Sequence, residues 1–347
     1  MRVIAIAALS LMSGSVPGLA LFAQAPASSP AVQRALESIT AADVKRRIEI
    51  IADDSMGGRD TPSRGLDATA RYIASEFRRL GLNPGGDSGT FIQRYPIPGS
   101  RESRSNNSER VAPNVVGVLE GSDPVLRNEY IVLSAHMDHV GIGAPVNGDS
   151  IYNGADDDAS GTAGVLELAE ALSMPGARPK RSVVFLTVSG EEHGLWGSAW
   201  FSEHPAVPMA QVVADLNIDM IGRNWKDTIV VIGKEHSDLG ATLDRVNRAH
   251  PELRMKAIDD IWPEENFYFR SDHYNFARKG VPVLFFFNGT HPDYHGPDDE
   301  PDRIDAEKES RIVRLVFLIA QEVGNTTQRP AWNPASYKRI VRPQTRD

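Results

Sequence analysis

Short stretches bearing acidic residues and histidines recur along this chain, each placed just after an apolar run. Ala135-His136-Met137-Asp138-His139 follows Tyr130 to Ser134. In such a His-x-Asp pair the imidazole gives one nitrogen to a metal while the carboxylate accepts the other ring N–H, which fixes the tautomer. The same pair also serves as a plain structural hydrogen bond. Asn153-Gly154-Ala155-Asp156-Asp157-Asp158-Ala159-Ser160-Gly161 leads into a helical pattern. A glycine-rich turn before a helix can cradle phosphate, but adjacent carboxylates repel an anion, and no G-x-x-x-x-G-K-[ST] pattern is present. A divalent cation fits better, although not the calcium-loop spacing D-x-[DN]-x-[DN]-G. The plainer alternative is an acidic cap on the following helix. Ser189-Gly190-Glu191-Glu192-His193-Gly194 follows the apolar run ending at Val188. Adjacent glutamates on extended or turning chain point in different directions, so one can hold a metal while the other faces a substrate. Metal hydrolases use that division: zinc brings a bound water to a pKa of about 7, and a free carboxylate must still move the proton. Asp219 after Leu216-Asn217-Ile218, and Tyr294-His295-Gly296-Pro297 shortly after Val281 to Phe287, complete the series. Singly, each reads equally as a solvated strand end. Jointly they point to a divalent-metal centre.

The elements that must position these residues follow from hydrophobic spacing. From Asn114 onward, apolar runs at Val115–Leu119, Tyr130–Ala135, Ser182–Val188, Val212–Ile218, Thr228–Ile232 and Val281–Phe287 alternate with helical patterns. The helical patterns fall at Gly161–Leu172, near Ser198, at Leu239–Ala249 and at Glu307–Val323. Such alternation predicts an α/β fold of three layers, with a mostly parallel mixed sheet covered by helices on both faces. In open sheets of this kind ligands bind outside the carboxyl ends of the strands, where the polar stretches lie. Upstream, Ile39 to Leu82 reads as a broken helical region, interrupted at Gly57-Gly58 and Pro62. Gly81 to Asn114 is rich in Gly, Pro, Ser and Asn and reads as connection, with an exposed polar loop from Arg101 to Arg110. No internal repeat or second core is evident, so a single domain is expected over residues 31–325. The segment 326–347, basic and proline-containing, is expected to be an extended, surface-wrapping or disordered tail.

Composition narrows the partners. The 347 residues are 41% hydrophobic and 24% charged, with a formal net charge of -9, ordinary for a globular chain. That charge disfavours a phosphate-backbone binder, so no nucleic acid partner is expected. No window offers the roughly 18 uninterrupted apolar residues of a spanning helix. With Cys 0, thiolate ligands, disulfides and a lipid-anchored cysteine are excluded, so any metal must sit on His and carboxylates. Residues 1–25 read as a secretory signal, with Arg2, an apolar run from Val3 to Met12, and Ala23-Gln24-Ala25 as cleavage site; cuts after Ala20 or Ala27 are alternatives. An exported protein, periplasmic or extracellular and without a membrane anchor, is the expectation.

The set His136-x-Asp138, Gly154 to Gly161, Glu191-Glu192-x-Gly194-Leu195-x-Gly197-Ser198, Asn217-x-Asp219-Met220 and Tyr294-His295 resembles the co-catalytic zinc aminopeptidase family. That family includes bacterial leucyl aminopeptidases, glutamate carboxypeptidase and glutaminyl cyclase. The likeness runs in order from about residue 40 to residue 323. It implies two zinc ions per chain, with Asp157 bridging both, Glu192 and His295 completing one site, and His136 and Asp219 the other. It implies further that Asp138 orients His136, that Glu191 is the general base and that Tyr294 hydrogen-bonds the developing oxyanion. A non-proline cis peptide after Asp157 is also implied, and the inserted protease-associated domain of some relatives is not expected. The implied substrates are peptides with a free amino terminus. A glutaminyl-cyclase-like acyltransferase or a carboxypeptidase of the same fold are the alternatives, and Arg223 and Arg270 are the cations near the motifs that a carboxypeptidase could use. His139 and His193 are expected to tune or line the site and His273 to lie near the substrate pocket. His204, His236, His250 and His291 carry no distinguishing pattern. Side-chain preference and oligomeric state are not legible.

Overall fold

The computed structural model of the chain describes residues 29–99 and 110–341. The expected signal at 1–25 and nearly all of the polar run from 101 to 110 lie outside these residues. The β-branched and aromatic runs form strands β1 (Asn83–Pro84), β2 (Ile92–Pro96), β3 (Val111–Leu119), β4 (Tyr130–His136), β5 (Gly141–Val146), β6 (Asp149–Tyr152), β7 (Ser182–Val188), β8 (Val212–Ile218), β9 (Thr228–Ile232), β10 (Lys256–Ile258) and β11 (Val283–Phe287). A nine-stranded mixed sheet has the order β1-β3-β7-β4-β8-β11-β9-β10, with β2 also on β3, and β5 and β6 form a separate hairpin. At its centre β7, β4, β8 and β11 run parallel, while β3 and β9 flank them antiparallel. Those central strands are buried on both faces, as parallel strands must be.

Alternation along each strand feeds two cores. Ile131, Leu133, Leu284 and Phe286 point into one, packed with helices α1 (Pro30–Ser38), α2 (Ala41–Ile51), α3 (Arg64–Arg79), α4 (Gly161–Ser173), α6 (Leu239–Ala249) and α8 (Ala306–Asn325). Val132, Phe285 and Phe287 point into the other, under α5 (Trp196–Glu203) and α7 (His273–Ala277). Caps set the helix starts: Thr40 accepts from Asp43 N, Ser63 from Leu66 N, and Asp305 from Lys308 N. The three-layer α/β expectation is met in a single unit, with the heavier helical layer on the α8 side.

Several elements were not foreseen. β2 carries the buried Gln93, whose amide donates to His204 O at 2.7 Å. The β5–β6 hairpin turns at Asn147-Gly148, both at positive φ (53° and 94°), the signature of a tight hairpin turn. Within the basic tail, α9 (Pro334–Ile340) starts at an Asn333 cap with Pro334 in its first turn, and Ile340 is buried in the second core. Among the described residues, no helix is long and apolar enough to cross a membrane.

Candidate metal centre

All five polar stretches meet at the carboxyl edge of the sheet. His136 ends β4, Glu191 and Glu192 follow β7, Asp219 follows β8, and Tyr294-His295 lies on the loop after β11. Asp157 stands in the middle, and its two oxygens face opposite ways. Oδ1 is 3.2 Å from His136 Nε2, and Oδ2 is 3.2 Å from His295 Nε2. His136 Nε2 is also 3.6 Å from Asp219 Oδ1, and His295 Nε2 is 3.0 Å from Glu192 Oε2. Donor atoms around one zinc, bonded at 2.0–2.2 Å, stand roughly 3.3 Å from one another. The observed separations bracket that value. His139, Asp157, Glu192 and His295 each bring one donor atom within 4.8 Å of the other three.

The donor set fits metal rather than a closed hydrogen-bond network. His139 Nδ1, Glu192 Oε1 and His295 Nε2 are buried yet have no hydrogen-bond partner, a costly state unless a cation completes it. Asp158 also comes near His136 and Asp219, but its oxygens are taken: it accepts from the backbone N–H of His136, Gly161 and Met220 at 2.8–3.1 Å. Asp158 is thus held as scaffold, while the two oxygens of Asp157 stay turned toward His136 and His295. A non-proline cis peptide joins the two.

The supporting residues keep the ligand loops in place. His136 Nδ1 lies 3.1 Å from the Asp138 carbonyl oxygen and 3.6 Å from the Asp138 carboxylate. That carboxylate accepts from Thr61 Oγ1 at 2.9 Å and Gly190 N at 2.7 Å, tying the β4 loop to the loop bearing Glu191. Asp299 accepts from the backbone N–H of Asp156 and Asp157 at 3.0–3.1 Å. Arg59, fully buried, donates to the carbonyls of Ile51, Met137, Asn153 and Gly154 at 2.5–3.1 Å and so fixes both loops at once. Burial pulls its pKa to about 10, still cationic at neutral pH, with Asp138 and Asp157 opposing the shift. Neither Arg59 nor Asp299 belongs to a sequence pattern. Each acts through distant chain segments.

A cleft of about 50 Å³ opens on the centre, lined by His136, Asp157, Glu191 and Asp219 on one side and by Met220, Phe267, Phe285, Phe287 and Tyr294 on the other. Glu191 is pushed well above the usual carboxylate range, chiefly by burial and further by Asp272, Asp219 and Glu192, with His136 opposing. Burial and neighbouring carboxylates thus raise its proton affinity. Burial also raises the Tyr294 hydroxyl, so it remains a phenol and a hydrogen-bond donor. Its ring stacks on His295 at 3.9 Å. Ser271 Oγ donates to Asp219 Oδ2 at 2.8 Å. Arg223 pairs with Asp293 at 2.6 Å, whereas Arg270 lines the cleft and lies 4.7 Å over the Phe267 ring.

The remaining histidines separate clearly. His193 pairs with Asp60 at 2.8 Å and stacks on Trp196 at the surface. His273 is buried, with its pKa lowered to about 3 by burial, and stacks on Phe285 behind the cleft. His291 is buried 3.4 Å from Asp156. His139, expected to tune or line the site, is buried within it, with Nδ1 2.9 Å from Glu192 Oε1.

A family profile described as peptidase family M28 matches residues 114–320, more than half of the chain. The chain belongs to this family. A probable zinc metalloprotease of Leptosphaeria maculans is 31% identical over 208 residues, 58% of this chain and 46% of that protein. Leupeptin-inactivating enzyme 1 of Streptomyces exfoliatus is 27% identical over 291 residues, 83% of this chain and 57% of that protein. The chain thus spans about half the length of these curated relatives. Among solved structures, LapB of Legionella pneumophila superposes with a TM-score of 0.65 at 22% identity, covering 86% of this chain and 76% of that one. A zinc aminopeptidase from Bacillus subtilis superposes with a TM-score of 0.66 at 15% identity, covering 84% and 96%. At these identities the superpositions establish the M28 fold, in agreement with the sheet order above.

Proposed function

We propose that this M28 chain is a two-zinc aminopeptidase. The observation that carries the reading is Asp157, whose two oxygens face separate donor groups 3.2 Å away on either side. His136 and Asp219 would hold one ion, Glu192 and His295 the other, with Asp157 shared. Zinc ions there supply Lewis-acid polarisation of a carbonyl and lower the pKa of a bound water to about 7. The chain itself supplies the rest. Glu191, raised in proton affinity and lining the cleft, accepts the proton of the attacking water and returns it to the leaving amine. Tyr294 donates a hydrogen bond to the developing oxyanion. Asp138 positions His136 through its own loop. The carboxylates around the cleft attract the substrate's α-ammonium group, and the names of the M28 relatives and neighbours, zinc metalloprotease and aminopeptidase, support the same class.

The test is a zinc count on purified protein beside hydrolysis of a dipeptide amide and its N-acetylated counterpart. Two zinc ions per chain and cleavage of the free amine alone are expected. Cleavage of the acetylated amide would overturn the aminopeptidase reading; a carboxypeptidase, which needs a free terminal carboxylate opposite a cation such as Arg270 on the cleft wall, would instead cleave only the N-acetylated dipeptide acid. One zinc with ammonia-releasing cyclisation of an amino-terminal glutamine would turn it to an acyltransferase. Export is part of the proposal and rests on residues 1–25; amino-terminal sequencing of protein recovered outside the cytoplasm should begin near Pro26.

A further inference from the structure

The donors divide unequally between the two halves of the centre. Beyond the implied ligands, His139 brings Nδ1 to 2.9 Å from Glu192 Oε1 and 3.6 Å from Asp157 Oδ2. Its side chain has 0% exposure, and neither ring nitrogen has a hydrogen-bond partner. The short approach to Glu192 is therefore a meeting of two donor atoms with no N–H aimed between them. That arrangement is what two ligands of one ion adopt. The ring is also locked in place. A Cβ on Gly154 would sit 2.4 Å from His139 Cγ, so only glycine at that position admits the ring.

The two halves also differ in what they face. His136, Asp157 and Asp219 line the cleft together with Glu191, whereas His139, Glu192 and His295 are not among its lining residues. We propose, on the two-zinc reading, that His139 is a metal ligand. One position then has four protein donors, His139, Asp157, Glu192 and His295. The other has three, His136, Asp157 and Asp219, and keeps room for exogenous oxygen. Four protein ligands are the mark of a structural zinc site, three with an open place that of a catalytic one. The centre is thus a closed, slowly exchanging position beside an open, substrate-facing one.

The test is a cobalt(II) titration of the metal-free full-length protein, followed by calorimetry and visible absorption. Two equivalents are expected, the first bound at least about tenfold more tightly than the second, in the range by which single changes around a metal alter affinity. The absorption of the first should be unmoved by an amino acid hydroxamate, and that of the second should shift. His139→Ala should collapse the difference by weakening the tight equivalent about tenfold or more. His139→Gln, closer in size, repeats the measurement if the alanine variant does not fold. Equal affinities in the wild type, or an unchanged tight site in a folded His139 variant, would overturn the proposal. A total of one equivalent in the wild type would instead sink the two-zinc reading, and the His139 variants would still decide whether that ion is held by His139.

Discussion

Arg47 and Arg59 are both completely buried, lie twelve positions apart in sequence, and do opposite things with their charge. Arg47 donates to Glu167 at 2.6 Å, Glu170 at 2.6 Å and Glu76 at 3.0 Å, so a cluster of carboxylates between α2, α3 and α4 receives its cation from the protein. Arg59 stands beside an acidic cluster of similar density but directs its N–H groups to backbone carbonyls. The carboxylates of Asp157, Glu192 and Asp219 are left facing histidines and one another. Asp158 and Glu191 respond as groups in uncompensated negative surroundings do, both held well above the ordinary carboxylate range by burial first and neighbouring carboxylates next. One region is paired from within and serves packing, although burial still holds Glu167 above its ordinary value against the pull of Arg47. In the other, neutralisation is left to ions from outside, and that is the physical difference between a structural and a functional acidic cluster in this fold.

The strongest way to break the comparison is to separate the paired glutamates. Glu191→Gln should lower turnover about 10²- to 10⁴-fold, the usual contribution of a general base, while the zinc count stays unchanged. Glu192→Gln should instead weaken or lose one ion. Zinc analysis beside steady-state kinetics checks both, and a Glu191 variant that loses metal while the Glu192 variant keeps it would reverse the roles.

The arginines themselves come next. Removing Arg47 leaves buried carboxylates unpaired, a loss of about 3–5 kcal/mol, and removing Arg59 leaves buried carbonyls without a donor, at about 1–3 kcal/mol each. Arg47→Met strands carboxylates, whose folded-state pKa values would then rise above their unfolded ones. Such a destabilisation is present at neutral pH and shrinks as pH falls and the carboxylates protonate. Arg59→Met strands carbonyls, which do not titrate, and withdraws a cation from Asp138, Asp157 and Asp299 that it does not touch, so the pH-dependent share of its loss between pH 7 and 5 should be smaller than that of Arg47→Met. Urea unfolding of the metal-free variants at both pH values measures this; matching pH profiles would erase the distinction. Smaller again is Asp138→Asn, expected to cost about 10- to 100-fold in zinc affinity, because it loosens the loop joining His136 to Glu191 without removing a donor. Competition with a chelator of known affinity measures it.

Much of this was legible in the sequence because it was local. His136, Glu192, Asp219 and His295 each come after an apolar run, and a strand end is where an α/β sheet exposes its chemistry, while Asp157 stands in the glycine-flanked acidic stretch that leads into α4. The convergence of His136, Asp157, Glu192, Asp219 and His295 on one point was therefore expected, and the structure brings them together. What escaped was non-local. Arg59 supports the centre from a break between helices, through carbonyls some 80 to 95 positions away along the chain. Asp299 caps the Asp156-Asp157 backbone from beyond β11. No spacing rule connects such partners. His139 was expected to tune or line the site, and the structure buries it there, 2.9 Å from Glu192; nothing in the order of residues says how close a second imidazole three positions on comes to the donor atoms. The β5–β6 hairpin, by contrast, was missed although its Asn147-Gly148 turn was in plain view.

The smallest expected effect sharpens the comparison at its edge. Arg79 lies next to the Arg47 cluster, 2.9 Å from Glu76 and 2.8 Å from Glu170, but half of its side chain is in solvent. An exposed pair of this kind contributes about 0.2–1 kcal/mol and is weakened by salt. Arg79→Ala should therefore destabilise the protein by no more than about 1 kcal/mol, far less than Arg47→Met. The sign of its pH dependence follows from Glu76. Burial pushes that carboxyl up, but hydrogen bonds from Arg79 and Arg47 outweigh it, and the group titrates below its ordinary value. A carboxylate with a depressed folded-state pKa contributes stability that is present above its unfolded pKa and lost as pH falls through the folded one. The gap between wild type and Arg79→Ala should accordingly be constant from pH 8 to about 5 and close at lower pH. Thermal melts across that range measure it. A loss as large as that of Arg47→Met would mean that the outer guanidinium shares the buried character of the inner one, and the cluster would then be neutralised by two cations rather than by Arg47.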